Sequence, residues 1–192
     1  MPPKAEITRE KIIDAGFRVV REDGLGELSA RNIAKKLNCS TQPIYSLFKN
    51  MGEMKDAVYE RVIAFQRQEL ANFKSDHQSK ALNLAVGILQ FAKNEKQLFR
   101  TIYLSGHKTY NLHEEEFIGE ALTLDYLRES SRVKFIDEQK QRQIFLSLTI
   151  YLIGIGTMIN TETLDIGIEE GTEMIREMYE ALLLREMTQS NN

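Results

Sequence analysis

The sequence predicts an all-α fold, with three short N-terminal helices arranged as a helix-turn-helix and then a larger helical body. Proline occurs only at positions 2, 3 and 43, and no stretch alternates apolar and polar residues as a half-buried strand does. Apolar residues recur instead at helical spacing along most of the chain. A chain of 192 residues that is 42% hydrophobic can bury a core without a metal or disulfide staple. Cys39 is its single cysteine, which excludes an intrachain disulfide and a cysteine-rich zinc site and suits a reducing cytosol.

The first helix is expected to start at Thr8, a good N-cap, to bury Ile13, Phe17 and Val20, and to stop at Asp23-Gly24. Ser29 is the expected cap of a second helix that ends at Leu37 and buries Ile33, Ala34 and Leu37. After Asn38-Cys39, a short third helix is read from Ser40 to Phe48. Pro43 falls in its first turn, where the missing N–H has no helical partner to lose. Small Ala34 at the close approach and Asn38 in the turn, a residue that tolerates left-handed backbone, fit the helix-turn-helix plan. Ile33, Leu37, Ile44, Leu47 and Phe48 form its expected core.

A long helix from about Gly52, carrying Val58, Val62, Phe65 and Phe73, is the expected connector to the rest of the chain. Further helices are expected at 78–93 (Leu82, Val86, Leu89), 95–104 (Leu98, Phe99, Ile102, Tyr103), 111–130 (Phe117, Ala121, Leu124), 138–160 and 167–187. Loop chemistry separates them at 105–108 and 160–165. The apolar stretch 144–159 is interrupted by Ser147, Thr149, Gly154, Gly156 and Thr157. It is read as a bundle helix too short to span a membrane. The polar start Met-Pro-Pro-Lys-Ala-Glu lacks the apolar run of a signal peptide, so a cytoplasmic location is expected.

The net charge of −3 conceals an asymmetry. Residues 1–50 hold nine Lys or Arg against six Asp or Glu, a balance of +3, while the remainder holds 16 against 22, a balance of −6. Between residues 28 and 52 the charged residues are Arg31, Lys35, Lys36 and Lys49, all basic. Such a patch on an acidic chain points to a polyanionic partner, its alternative being a solvated face.

Specific residues add to the spacing. The segment Ile12-Ile13-Asp14-Ala15-Gly16-Phe17, then Gly24, then the run from Leu28 through Asn38-Cys39-Ser40-Thr41-Gln42-Pro43-Ile44-Tyr45 to Phe48-Lys49-Asn50 resembles the DNA-binding domain of the tetracycline-repressor (TetR) family over about residues 8–60. Gly16 stands where that family more often has alanine, and Asn38 where it usually has glycine. The resemblance implies a helix-turn-helix DNA-binding domain at 1–52 and an effector-binding and dimerisation domain at 53–192. It makes Ser40 to Phe48 the recognition helix, lying in the major groove. There Gln42 can pair with adenine, while Thr41 and Pro43 can meet a thymine methyl. Tyr45 and Lys49 are expected on phosphate, as is Ser29 at the positive end of its helix, and Arg31 on a base or a phosphate. Each has the alternative of a plain surface side chain.

In the C-terminal half, Ile144, Leu148, Tyr151 and Ile155 form one stripe of a helix that is also apolar at Phe145, Leu152 and Ile159. The last helix sets Ile168, Ile175, Met178 and Leu182 against Glu169, Glu173, Glu177 and Glu180. The resemblance implies that these two helices pair with their copies in a homodimer, where Gly154 and Gly156 permit close approach. It also implies an effector held near the connector, with Phe65, Phe99, Tyr103, Tyr110, Phe117 and Tyr151 as candidate lining; the alternative for each is ordinary core packing.

The function implied is a sequence-specific transcriptional repressor, without cofactor, metal or membrane, released from a double-stranded operator by a small apolar or amphipathic effector. A rival reading keeps DNA binding but gives the C-terminal surface to a protein partner. Enzyme chemistry is not expected: His113 and Glu116 are two ligands short of a closed metal site and read better as an acidic helix start.

Overall fold

The structure, a computed structural model, describes residues 6–75, 79–111, 117–128, 133 and 136–189. Its elements are α1 (Arg9–Asp23), α2 (Ala30–Leu37), α3 (Gln42–Leu47), α4 (Met51–Asn72), α5 (Lys80–Asn94), α6 (Lys96–Tyr103), α7 (Glu120–Arg128), α8 (Glu138–Thr161) and α9 (Ile168–Gln189), with one 3-10 turn at Leu25–Glu27. No strand occurs among the described residues. Packing divides the chain into two compact units, Met1–Gln68 with Glu95–His107, and Glu69–Asn94 with Lys108–Asn192.

In the first unit Thr8 caps α1, its hydroxyl accepting from the Lys11 amide at 3.3 Å. Ile12, Ala15, Gly16, Val19 and Val20 face inward at i, i+3, i+4, i+7 and i+8. This stripe corrects the expected one: Ile12 is fully buried and Ile13 only half-buried. Phe17 and Val20, expected inside, are buried as well, and α2, α3 and α6 all pack on α1. Each large aliphatic side chain fully buried here contributes about 1.5–3 kcal/mol. Gly24, at φ +92°, ends the helix and donates its N–H to the Val20 carbonyl at 2.9 Å.

Sequence-distant α6 is built into this unit by Leu98 and Phe99, both fully buried, and by Arg21, whose Nε lies 2.8 Å from a Glu95 carboxylate oxygen. Along α4, Met54, Val58, Tyr59, Val62 and Ile63 are buried. Phe73, expected within that helix, lies one residue beyond its end, its N–H bonded to the Leu70 carbonyl.

In the second unit α5 packs against α8 and α9 through Ala85, Leu89, Leu152, Ile155, Ile159 and Ile175. Gly171 permits that approach, because a Cβ there would stand 3.0 Å from Ile155 Cγ2. Asn160, buried on α8, donates to the Ala92 carbonyl at 2.8 Å. A second cluster gathers Leu127, Val133, Ile144, Leu182 and Leu183. Helix α7 begins only at Glu120, and Ala121, expected inside, is exposed; the expected helix start at 111, with His113 and Glu116, falls partly outside the described residues. Among the described residues no cluster of three or more metal-ligating side chains occurs.

Helix α8 corrects the reading of 144–159 as too short to span a membrane. It runs for 24 residues with a mean hydropathy of 1.7 over its most apolar window, so length and composition alone would allow a crossing. It packs against α5, α7 and α9, as a bundle helix does.

Candidate nucleic-acid interface

The helix-turn-helix is set by local chemistry at three points. Ser29 Oγ accepts from the Asn32 amide at 3.2 Å and so starts α2, leaving the hydroxyl proton to donate elsewhere. Asn38 ends α2 in the left-handed region, at φ 51° and ψ 48°, and the Cys39 N–H turns back to the Ala34 carbonyl at 3.0 Å. Pro43 occupies the first turn of α3, as expected, and the Ile44 N–H reaches Thr41 O at 3.1 Å.

Helix α3 is shorter than the expected Ser40–Phe48. Ser40 and Thr41 remain in the turn, and Phe48 is already extended at φ −130°. Ile44 and Phe48 point into the unit at 1% and 3% exposure, but Leu47, expected in the core, is 38% exposed, and Leu37 is only half-buried. Leu47 is the last residue of the helix, and the buried place at that end is taken by Phe48, the extended residue just beyond it.

Across this unit Arg31, Gln42, Tyr45 and Lys49 are exposed, Tyr45 at 60%, while Ser29, Thr41 and Pro43 are half-buried. Lys36 is engaged in an ion pair with Glu22. The group is thus a short helix with exposed amide, phenol and ammonium groups, followed by α4.

The junction into α4 contains partners that the sequence reading passed over. Asn50 Oδ1 accepts from the Glu53 amide at 2.9 Å, and a Glu53 carboxylate oxygen accepts from the Lys49 N–H at 2.8 Å. The Asn-x-x-Glu spacing of a capping box was the available signal. The Lys49 amide, helped by the Arg9 guanidinium, holds the Glu53 carboxyl below its ordinary value against a smaller opposing effect of desolvation.

The aromatic candidates divide between the units. In the first, Phe65 packs on Phe17 at 5.2 Å between ring centroids, and Phe99 on Tyr103 at 4.9 Å. The Tyr103 hydroxyl meets the buried Gln66 side chain at 2.9 Å. In the second, Tyr110 and Phe117 meet edge-on at 5.0 Å, and half-buried Tyr151 packs against the α5, α8 and α9 cluster. The first unit also carries an open cleft of about 630 Å³ along Asp23–Gly26, Lys55, Gln97, Arg100, Leu104 and His107, which none of these aromatics lines.

No protein-family model matches the chain, and no curated protein matches it by sequence. Solved structures do match in fold. A putative transcriptional regulator from Pseudomonas aeruginosa PAO1 is similar at TM-score 0.64 and 13% identity, covering 95% of both chains. A TetR-like transcriptional regulator from Rhodococcus sp. RHA1 matches at TM-score 0.60 and 18% identity, over 89% of this chain and 93% of its own. A TetR from Acinetobacter baumannii AYE, in complex with minocycline, matches at 0.59 and 14%, over 93% and 96%. The chain therefore has the all-helical fold of TetR-like transcriptional regulators.

Proposed function

We propose that the chain is a DNA-binding transcription regulator, acting in the cytoplasm as a homodimeric repressor that a small effector releases from its operator. The carrying observation is the helix-turn-helix, with Gln42, Tyr45 and Lys49 exposed around α3 and no acidic residue between positions 28 and 52. Gln42 and Thr41 read base edges, with Pro43 against a thymine methyl. Tyr45, Lys49 and Ser29 hold phosphates, and Arg31 reaches a base or a phosphate.

Dimerisation is supported by apolar side chains that are exposed on one protomer. Ile150 on α8 is 68% exposed and Leu184 on α9 is 59% exposed. Gly154, exposed on α8, leaves room for a partner backbone, since a Cβ there would meet nothing within 4 Å. A two-fold dimer of this kind would read a pseudo-palindromic operator.

Release needs an element whose state both ligands bias. Helix α4 starts two residues after Lys49 and carries Gln66, the partner of Tyr103. An apolar or amphipathic effector against half-buried Tyr103 that favours one α4 position would weaken DNA binding by the same factor that DNA weakens effector binding, about 5–150-fold on the usual coupling scale. The TetR bound to minocycline supports a small-molecule ligand for this fold.

The test starts from binding-site selection on random DNA. Gln42→Ala should cost about 1–3 kcal/mol and relax one base position, whereas Lys49→Ala should weaken all sequences alike. Operator titration follows, with and without small molecules identified by mass spectrometry of the purified protein. Tyr103→Ala should lose effector response more than DNA affinity. Equal operator affinity with and without saturating ligand would remove the release mechanism and leave the reading in which the C-terminal surface recruits a protein.

A further inference from the structure

Helix α3 has six residues, less than two turns. A helix so short cannot hold itself together or set its own direction, since isolated helices below about 12–15 residues are marginal in water. Its orientation must come from what grips its ends. The Asn38 turn and Ile44 hold the N-terminal side.

The C-terminal side is held from another element. Arg9, the first residue of α1, donates from Nη1 to the Leu47 carbonyl, the last of α3, at 3.0 Å. Its Nη2 lies 3.0 Å from Glu53 Oε1, and its Cζ sits 4.1 Å from the centroid of the buried Phe48 ring. Glu53 in turn accepts from the Lys49 amide. One guanidinium thus joins the start of α1, the end of α3 and the first turn of α4. Only arginine can do this, because the contacts use a planar fork for two acceptors and a flat face for the ring. A lysine ammonium could satisfy one of them at a time.

We infer that Arg9 is a positioning residue for sequence discrimination: it fixes the angle of α3 and with it the reach of Gln42 and Thr41, its guanidinium being bonded to protein groups. The inference rests on the DNA-binding reading above. Base recognition needs side chains held within about 0.5 Å and 10–20° of their productive geometry, so a small tilt of α3 costs specific contacts before it costs phosphate contacts.

The experiment compares wild type, Arg9→Lys, Arg9→Gln and Glu53→Gln. Each is titrated with the site selected by the wild type and with a scrambled duplex, across a salt series, alongside thermal melting. Arg9→Lys and Arg9→Gln should both lower the specific-to-scrambled affinity ratio by about tenfold or more, the worth of one base contact. The salt slope on scrambled DNA should stay unchanged. Glu53→Gln, which keeps Arg9 and its Leu47 bond, should shift the ratio the same way by less, and it carries the test if an Arg9 variant fails to fold.

Full discrimination in Arg9→Lys would show that charge alone suffices and overturn the inference. So would a uniform loss with a salt slope smaller by about one, which marks a phosphate contact. An unchanged ratio in Glu53→Gln also overturns it, whether or not the Arg9 variants fold. A wild type that enriches no sequence overturns the DNA-binding reading, and this inference with it.

Discussion

The Gln66 side-chain amide lies 2.9 Å from the Tyr103 hydroxyl, tying α4 to α6 inside the first unit. Gln66 is 1% exposed, so its polar atoms depend on protein partners. Tyr103→Phe keeps the ring against Phe99 and removes the hydroxyl. Urea unfolding should show a loss of about 1–3 kcal/mol, the cost of an unsatisfied buried group. A midpoint equal to wild type would mean that the pair contributes nothing.

The dimer face is best tested where the protomer leaves apolar surface bare. Ile155 and Leu182 are natural targets from the sequence pattern, but at 4% and 8% exposure they lie inside the protomer, and arginine there should unfold it. Ile150→Arg and Leu184→Arg alter side chains that are 68% and 59% exposed. Both variants should keep their helical circular dichroism and sediment as monomers. Folded dimers from both would move the interface elsewhere.

Gly16 stands where the resembled family more often has alanine, so a consensus change would substitute it. The packing around Gly16 opposes that change. A Cβ at Gly16 would stand 2.6 Å from Val58 Cγ2 and 3.3 Å from Leu28 Cδ1, forcing a branched side chain of α4 to move. Gly16→Ala should destabilise by about 1–3 kcal/mol through overpacking, despite alanine's better helix propensity. A raised melting temperature would contradict this.

Glu120 is expected to make the second unit sensitive to acid. Burial opposes its charge, but the Arg142 guanidinium and the Phe117 amide, the latter at 3.0 Å, outweigh that and hold its carboxyl below the ordinary 4.5. A lowered native value means that the stabilisation is complete above the ordinary value and is lost as pH falls through the lowered one. Glu120→Gln should therefore cost about 1.5–3 kcal/mol at pH 7, the scale of a hydrogen bond to a charged group, and the gap to wild type should close at low pH. Parallel stability curves for the two proteins from pH 7 to pH 3 would refute this assignment.

Much of the fold was legible because it is written in local chemistry. Thr8 and Ser29 cap α1 and α2 with their own hydroxyls, and Asn38 takes the left-handed turn that its side chain tolerates. Apolar spacing located the long helices α4, α8 and α9 to within a few residues of their ends. Such signals act over one helical turn, so the chain alone determines them.

Tertiary structure decided what depends on two or more neighbours at once. Ile12 is core and Ile13 only half-buried on an α1 that packs against several elements at once, α2 and α6 among them. Leu47, at the end of a six-residue helix, is left 38% exposed while Phe48 just beyond it is buried. The same holds for Arg9, whose partners Leu47, Phe48 and Glu53 lie about 40 residues away in sequence. Hydrophobic periodicity states which residues can be buried; only the assembled packing states which face is covered, and a bond between distant residues has no period to reveal it.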